Sequence, residues 1–373
     1  MRIAAAVLAG KGRRLEIDEL ELAPPRHGEV LVKVAASGLC ASDLNMIDGK
    51  RSLAPFPVVL GHEAAGVVVE TGPGVTRLQV GDHVVMTILP SCGHCPSCRR
   101  GQPNHCATAH AAMNAGHLLD GSSRLSRDGE PINHFLTVSS FAEYAVVPES
   151  GTVAVRADMP LDRAALLSCA VLTGVGAVRN TARVQPGSRV AVFGCGGVGL
   201  NVVQGARIAG AAQIVAVDVS SEKLELARRL GATDLVHARE QDPVAAIRRL
   251  TGGVDYAFEA LGREQTIQQA WDSLDVGGEA VIVGLMRHGA TVTLDADAFV
   301  DERRLRGCYV GSSRPTRDVP ALVDHYLAGQ LRLDEMISQR LGLHQLDQAF
   351  DQLRAGEGAR SVLVLEPSGG AGA

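Results

Sequence analysis

Apolar residues come in short runs broken by glycine and proline up to about Ser150. Ile3–Leu8, Glu29–Ala35, Gly66–Glu70 and His83–Leu89 each read as a strand, and Thr71-Gly72-Pro73-Gly74 reads as a turn. From about Arg189 the grammar changes. The apolar run Arg189–Phe193 leads into a glycine cluster and a helical stretch to about Ala209. Gln213–Asp218 is a second apolar run, Glu222–Leu230 is helical in pattern, and Asp234–His237 is strand-like. Runs at Val254–Glu259 and Glu279–Gly284 continue the alternation. Strand and helix alternating at this spacing predict a doubly wound parallel sheet. Further on, Val319–Ala328 and Leu346–Leu353 predict helices, and Ser361–Leu365 predicts a closing strand. The small residues Ser368–Ala373 read as a disordered tail.

With 373 residues, 46% of them hydrophobic and 21% charged, the chain has enough apolar material for two cores. A net charge of -5 and the lack of any long basic block argue against a nucleic-acid partner. No unbroken apolar run approaches the ~18 residues of a membrane span, so no membrane partner is expected. Ile3–Leu8 is followed, not preceded, by basic residues, so it reads as a first strand rather than a signal peptide. The expected location is the cytoplasm.

Gly194-Cys195-Gly196-Gly197-Val198-Gly199 follows a predicted strand and opens a predicted helix. Glycines there let the backbone turn tightly and approach a pyrophosphate, and the helix N-terminus supplies N–H groups and a positive dipole end. The next predicted strand ends in Asp218, nineteen residues after Gly199, where a carboxylate can bind a ribose diol and repel a 2′-phosphate. NAD is therefore expected over NADP.

Eight cysteines are present, and four crowd together as Cys92, Cys95, Cys98 and Cys106. Four such thiolates can enclose one tetrahedral zinc with no open position, a site that holds a loop and does no chemistry. An iron–sulfur cluster and disulfides are the rival readings. Cys40, His62 and Cys169 stand apart. Two thiolates and an imidazole can hold a catalytic zinc with a free fourth position, but spacing alone does not bring them together.

Taken in order, Gly38-x-Cys-x-Ser-Asp43, Gly61-His-Glu-x-x-Gly66, the four-cysteine lobe, Gly121-Ser-Ser-Arg124, His134-Phe-Leu136, Ser140–Tyr144, Cys169–Gly176 and Phe193–Leu200 resemble the zinc-containing medium-chain alcohol dehydrogenases. The likeness is to the long-loop branch that holds the liver-type and glutathione-dependent formaldehyde dehydrogenases. It implies an α/β fold: a GroES-like β-rich catalytic domain over 1–170 and 311–373, with the zinc lobe at about 91–107, and a Rossmann NAD-binding domain over 171–310. It also implies two zinc ions per chain, with Cys40, His62 and Cys169 on the catalytic one. Glu63 would approach that metal, Asp43 would orient the histidine, and Ser42 would relay the alcohol proton. Thr173 would pack on the nicotinamide, Lys223 would reach the ribose, and Arg360 would reach the pyrophosphate. Hydride exchange between an alcohol and its aldehyde or ketone is the implied reaction, in a homodimer or homotetramer joined through Gly307–Val310.

Four departures narrow the substrate. Asn45 stands where the liver-type relay has a histidine, and Ala41 where a basic residue often meets the cofactor phosphates. His110 replaces the arginine that anchors the glutathione adduct, and Arg51 replaces an acidic residue of the glutathione-binding region. Ile88, in place of the usual aromatic, together with Phe135 and Leu136, predicts a roomy apolar pocket. That favours a bulky hydrophobic alcohol, with a thiol adduct or a retained-NADH oxidoreductase as the alternatives.

Overall fold

The computed structural model describes residues 1–365, and the tail Ser368–Ala373 lies outside the described residues. Two compact units are present: Met1–Cys169 with Arg314–Ala328 and Met336 onward, and Ala170–Ser313 with Gly329–Glu335.

In the first unit, a closed barrel joins Arg2–Leu8, Leu15–Leu22, Leu125–Arg127, Glu130–His134 and Val58–Val59. Its inward residues, among them Ile3, Ala5, Val7, Leu20 and Ile132, form one buried cluster. Beside the barrel lies a seven-stranded sheet in which Glu29–Gly38 is flanked by Glu63–Thr71 and Arg360–Val364. Register brings three chain segments to one corner of this sheet. Gly38 pairs with both Glu63 and Val362, so the segments carrying Cys40, His62 and Arg360 leave the sheet together. A Cβ on Gly38 would lie 2.6 Å from the Glu63 carboxylate, so a side chain there would displace that carboxylate.

One buried ion network braces the barrel. The Arg124 guanidinium, fully enclosed, donates to Glu29 at 2.6 and 2.9 Å, to Asp120 at 2.7 Å and to Ser122 at 2.6 Å. Partial burial opposes ionisation of Asp120, yet hydrogen bonds from Ser122 and Arg124 prevail and bring its carboxyl down to about 2. Asp120 thus stays charged at neutral pH. This explains the Gly121-Ser-Ser-Arg124 motif as a structural device.

The second unit is a six-stranded parallel sheet in the order Asp234–His237, Gln213–Asp218, Arg189–Phe193, Val254–Glu259, Leu274–Ile282, Arg304–Gly307. The order reverses beside Arg189–Phe193, which opens the crevice where doubly wound sheets bind dinucleotides. Ala191, Phe193, Val215, Val217, Ala257 and Trp271 are in its core.

Three details differ from the sequence reading. Gly329–Glu335, expected with the catalytic domain, belongs to the nucleotide-binding unit. There Arg332 donates its backbone N–H to Gln204 at 2.7 Å and its guanidinium to the Arg229 carbonyl at 2.8 Å. The strand expected at Gly307–Val310 instead runs Arg304–Gly307, because the chain turns through left-handed Val310, Gly311 and Ser312. Finally, Leu161–Ala182 forms a helix long and apolar enough to cross a membrane, at mean hydropathy 1.5. However, 83% of that window is buried in the protein, as expected of a core helix.

Arg124→Met should strand the buried Glu29 carboxylate and destabilise the protein by about 3 kcal/mol or more, read as a lower urea midpoint. An unchanged midpoint would mean that the network is dispensable.

Candidate functional site

At the corner where three strands meet, Cys40 caps the short helix Ala41–Ile47 and His62 lies at the turn before Glu63–Thr71. Cys169 comes from a widened π-helical turn, Leu167–Val171; such turns often mark functional positions because they displace one residue from the helical repeat. One ligand atom each from Cys40, His62, Glu63 and Cys169 lies within 4.8 Å of the others, all of them buried.

Asp43 organises this group. Fully buried, it accepts the Gly61 N–H at 3.0 Å and faces His62 Nδ1 at 3.3 Å with one oxygen, and accepts the Cys40 N–H at 3.1 Å with the other. That leaves His62 Nε2 buried without a hydrogen-bond partner. The Glu63 carboxylate faces Arg360 at 3.1 Å, and Arg360 donates to the Leu39 carbonyl at 2.8 Å.

The electrostatics conflict. Hydrogen bonding with Cys169, reinforced by His62, holds the Cys40 thiol well below its usual range. The same sharing and burial push Cys169 up. Burial opposes charge on His62, but Asp43 and Cys40 win and raise it. Burial raises Glu63 to about 8 although Arg360 opposes it. Buried thiols, an imidazole with a bare nitrogen and a carboxylate share one space, and a divalent cation is what satisfies them together. These residues fit a zinc ion.

The four-cysteine lobe is a second such set, its sulfurs also within 4.8 Å of one another. Backbone N–H groups already point at sulfur, from Cys92 to Cys106 and from Cys95 to Cys92, both at 3.3 Å. Burial and the Cys95 sulfur raise Cys98 to about 12. Cys92 is lowered to about 5 against burial by hydrogen bonds from Thr108, His94 and Cys95. His94 is exposed and turned onto the Cys92 carbonyl at 2.7 Å, outside the set.

In the second unit, Gly194 has φ 94° and leads into the helix Gly197–Ile208. A Cβ on Gly199 would lie 1.7 Å from the Gly194 carbonyl, whereas one on Gly196 would meet nothing within 4 Å. One glycine permits packing, and the other leaves the open backbone a diphosphate needs; Val198 lies between them in the helix's first turn. Asp218, at the end of its strand, accepts N–H groups from Cys195 at 2.7 Å, Val219 at 2.7 Å and Ser220 at 3.0 Å. Lys223 lies in the first turn of the next helix, its N–H on the Ser220 hydroxyl. Thr173 is buried in the helical stretch Leu172–Gly176. These residues fit a dinucleotide.

The remaining expectations fare unevenly. Ser42 Oγ accepts from Cys40 Sγ at 3.8 Å. Ile88, Leu136 and Phe135 are all buried, and the Phe135 and His62 rings meet at a steep angle, 5.5 Å between centroids. The Phe135 ring packs beside the imidazole. His110 Nε2 faces the Asn104 carbonyl at 3.1 Å. The Glu63–Arg360 pair and the Phe135–His62 contact were invisible in sequence, since neither spacing nor composition joins those residues.

Fold and site together define a zinc-dependent, nucleotide-binding dehydrogenase. Residues 26–157 match the alcohol dehydrogenase GroES-like domain and residues 197–328 the zinc-binding dehydrogenase domain. The chain is 40% identical to the class-3 alcohol dehydrogenase of Cereibacter sphaeroides, over 98% of this chain and all of the other. It is also 40% identical to S-(hydroxymethyl)glutathione dehydrogenase of Synechocystis sp., over 97% of this chain and all of the other. Among solved structures, benzyl alcohol dehydrogenase of Acinetobacter calcoaceticus superposes with a TM-score of 0.93 at 36% identity, over 98% of this chain and all of that one. The chain belongs to the zinc-containing alcohol dehydrogenase family, whose cofactors are zinc and NAD.

Metal analysis should find about two zinc per chain, one for each ligand set. Cys98→Ser should lose the lobe zinc together with stability, and His62→Ala should lose the other zinc alone. A single zinc in the unmodified protein would rule this out.

Proposed function

We propose that the chain oxidises a primary alcohol, or reduces its aldehyde, with NAD at a zinc held by Cys40, His62 and Cys169. The buried cluster with the bare His62 Nε2 carries this reading. Once bound, zinc would polarise the substrate oxygen and ease removal of its proton, and nicotinamide would accept the hydride. The chain's own residues do the rest. Asp43 fixes the imidazole tautomer and tilt. Ser42, beside Cys40, takes up the alcohol proton and passes it outward; Asn45, which cannot carry a proton, leaves that path to solvent. Arg360 faces the Glu63 carboxyl and would reach the cofactor pyrophosphate. Asp218, with Lys223 nearby, receives the adenosine ribose, and Thr173 packs on the nicotinamide.

For the substrate, the names of the relatives support a hydroxymethyl adduct of a low-molecular-weight thiol. A second reading, a free hydrophobic alcohol, is favoured by the engagement of His110 with Asn104 and by the likeness to benzyl alcohol dehydrogenase. The apolar set Ile88, Phe135 and Leu136 suits either. NADH formation should be measured from formaldehyde with and without glutathione or another thiol, beside benzyl and longer alcohols, each with NAD and NADP. The adduct reading requires formaldehyde turnover that depends on added thiol and prefers NAD. Benzyl alcohol turnover with no thiol effect would replace it with the second reading.

Assembly as a homodimer is part of the same proposal. The strand Arg304–Gly307 is the sheet edge, exposed along its length, with Leu305 and Val300 open nearby. Pairing of two such edges about a two-fold axis would cover both at once. Light scattering at micromolar concentration should give twice the chain mass, and a monomer would contradict it.

A further inference from the structure

The segment between Phe135 and Ser140 is the most contorted piece of the first unit. Leu136, Thr137 and Ser139 all have left-handed backbone, at φ 52°, 62° and 55°. A β-branched residue such as Thr137 is rarely found there, because its Cβ substituents crowd the backbone. Such a conformation persists only where the surroundings over-determine it.

Those surroundings are visible. Ser139 Oγ accepts the Phe135 N–H at 2.8 Å, and the Phe135 carbonyl accepts the N–H groups of Val138 at 3.0 Å and Ser139 at 3.2 Å. Thr137 Oγ1 donates to the Leu136 carbonyl at 2.6 Å. The turn is then tied to the residues just before His62: the Ser140 N–H donates to the Gly61 carbonyl and the Phe141 N–H to the Leu60 carbonyl, both at 3.0 Å. Ser140 Oγ also pairs with Ser37 Oγ at 2.7 Å. A Cβ on Gly61, at φ 88°, would lie 2.6 Å from the Phe141 nitrogen and 2.7 Å from Ser140 Oγ, so the two segments touch through backbone. On its other side, the same turn follows His134, whose Nε2 accepts the Arg124 N–H at 3.1 Å, linking it to the buried ion network.

The product of this arrangement is one contact. The Phe135 ring meets the His62 ring at 76° and 5.5 Å, an edge-to-face pair. His62 is thereby gripped from two directions, Asp43 bonding Nδ1 and Phe135 meeting the ring at a steep angle. A hydrogen bond to one nitrogen leaves the imidazole free to rock about the bond; an aromatic ring set across it removes that freedom.

We propose that Phe135 and Ser139 are positioning residues for His62, and that the strained Phe135–Ser140 turn is the brace that holds the imidazole ready for the metal. Phe135 acts by packing its ring at a steep angle against the imidazole. Ser139 acts by fixing the Phe135 backbone. Thr137 stiffens the turn at some cost in stability. The proposal rests on the zinc reading of the Cys40, His62 and Cys169 cluster.

The test is zinc release from the intact holoenzyme to a chromophoric chelator. The phase missing in His62→Ala identifies the catalytic metal, and the remaining phase identifies the lobe. Phe135→Leu and Ser139→Ala should each speed the catalytic phase by about tenfold, the lower end of what loss of a ligand-orienting partner does to metal affinity, with the lobe phase unchanged. Thr137→Gly relieves the left-handed strain, so its melting temperature should equal or exceed that of the unmodified protein while its catalytic phase still accelerates. A merely structural turn predicts the opposite pairing, with stability and metal retention rising or falling together. Should the first two variants not fold, Thr137→Gly decides. A catalytic phase within twofold of the unmodified protein in the variants that fold, or both phases accelerating in step, overturns the brace. An unmodified protein with only the lobe phase overturns the zinc reading itself.

Discussion

A single buried carboxylate constrains the chemistry of the first unit. Asp43 has no solvent exposure and spends both oxygens on neighbours: the N–H groups of Cys40 and Gly61 and the ring of His62. A polar group buried this deeply is tolerated only when it is fully hydrogen-bonded, and here each bond also fixes a segment carrying a metal ligand. The bond to Nδ1 sets which imidazole nitrogen stays bare. Everything the site can do starts from that choice, because the bare nitrogen shares one small space with two thiols.

The cluster around Asp43 is poorly satisfied as protein alone. Cys40 and Cys169 compete for one proton, and Glu63 and Arg360 face each other in the absence of solvent. Evolution does not keep so many buried titratable groups for packing, since an apolar core of the same volume would be as stable or more so. Local strain points the same way. The left-handed residues of the first unit include the run beside His62, and the π-helical turn carries Cys169. The barrel is closed by its own register and braced by Arg124. Stability resides in the barrel and sheet, and the site draws on it.

The nucleotide-binding unit is organised differently. The groups there that fit a dinucleotide are mostly backbone, held by a parallel sheet, and the Asp218 carboxylate proposed for the ribose is already fixed by three N–H groups. A carboxylate held in this way loses little freedom when a ribose diol arrives, which is the physical content of preorganisation. Medium-chain dehydrogenase chemistry thus divides between a unit whose side chains prepare a metal and a unit whose backbone prepares a dinucleotide.

What could be read from the chain was what lies close together along it. The lobe cysteines and the glycine motif act through backbone geometry over a few residues, and Asp218 ends the strand next in sequence, so spacing alone carries their meaning. The alternation of strands and helices likewise foretold the parallel sheet, because hydrophobic period is a local property. Cys40, His62 and Cys169 were different: only family resemblance joined them. Tertiary structure gathers them through the register that pairs Gly38 with Glu63 and Val362, a choice made by long-range hydrogen bonds that no local pattern encodes. The same holds for Arg360 against Glu63, for Gly329–Glu335 crossing to the other unit, and for Phe135, which the resemblance put in a pocket wall and whose packing against the imidazole only the fold shows. Side-chain partners far apart in sequence are selected by close packing of the whole core, and that selection exists only once the chain has folded.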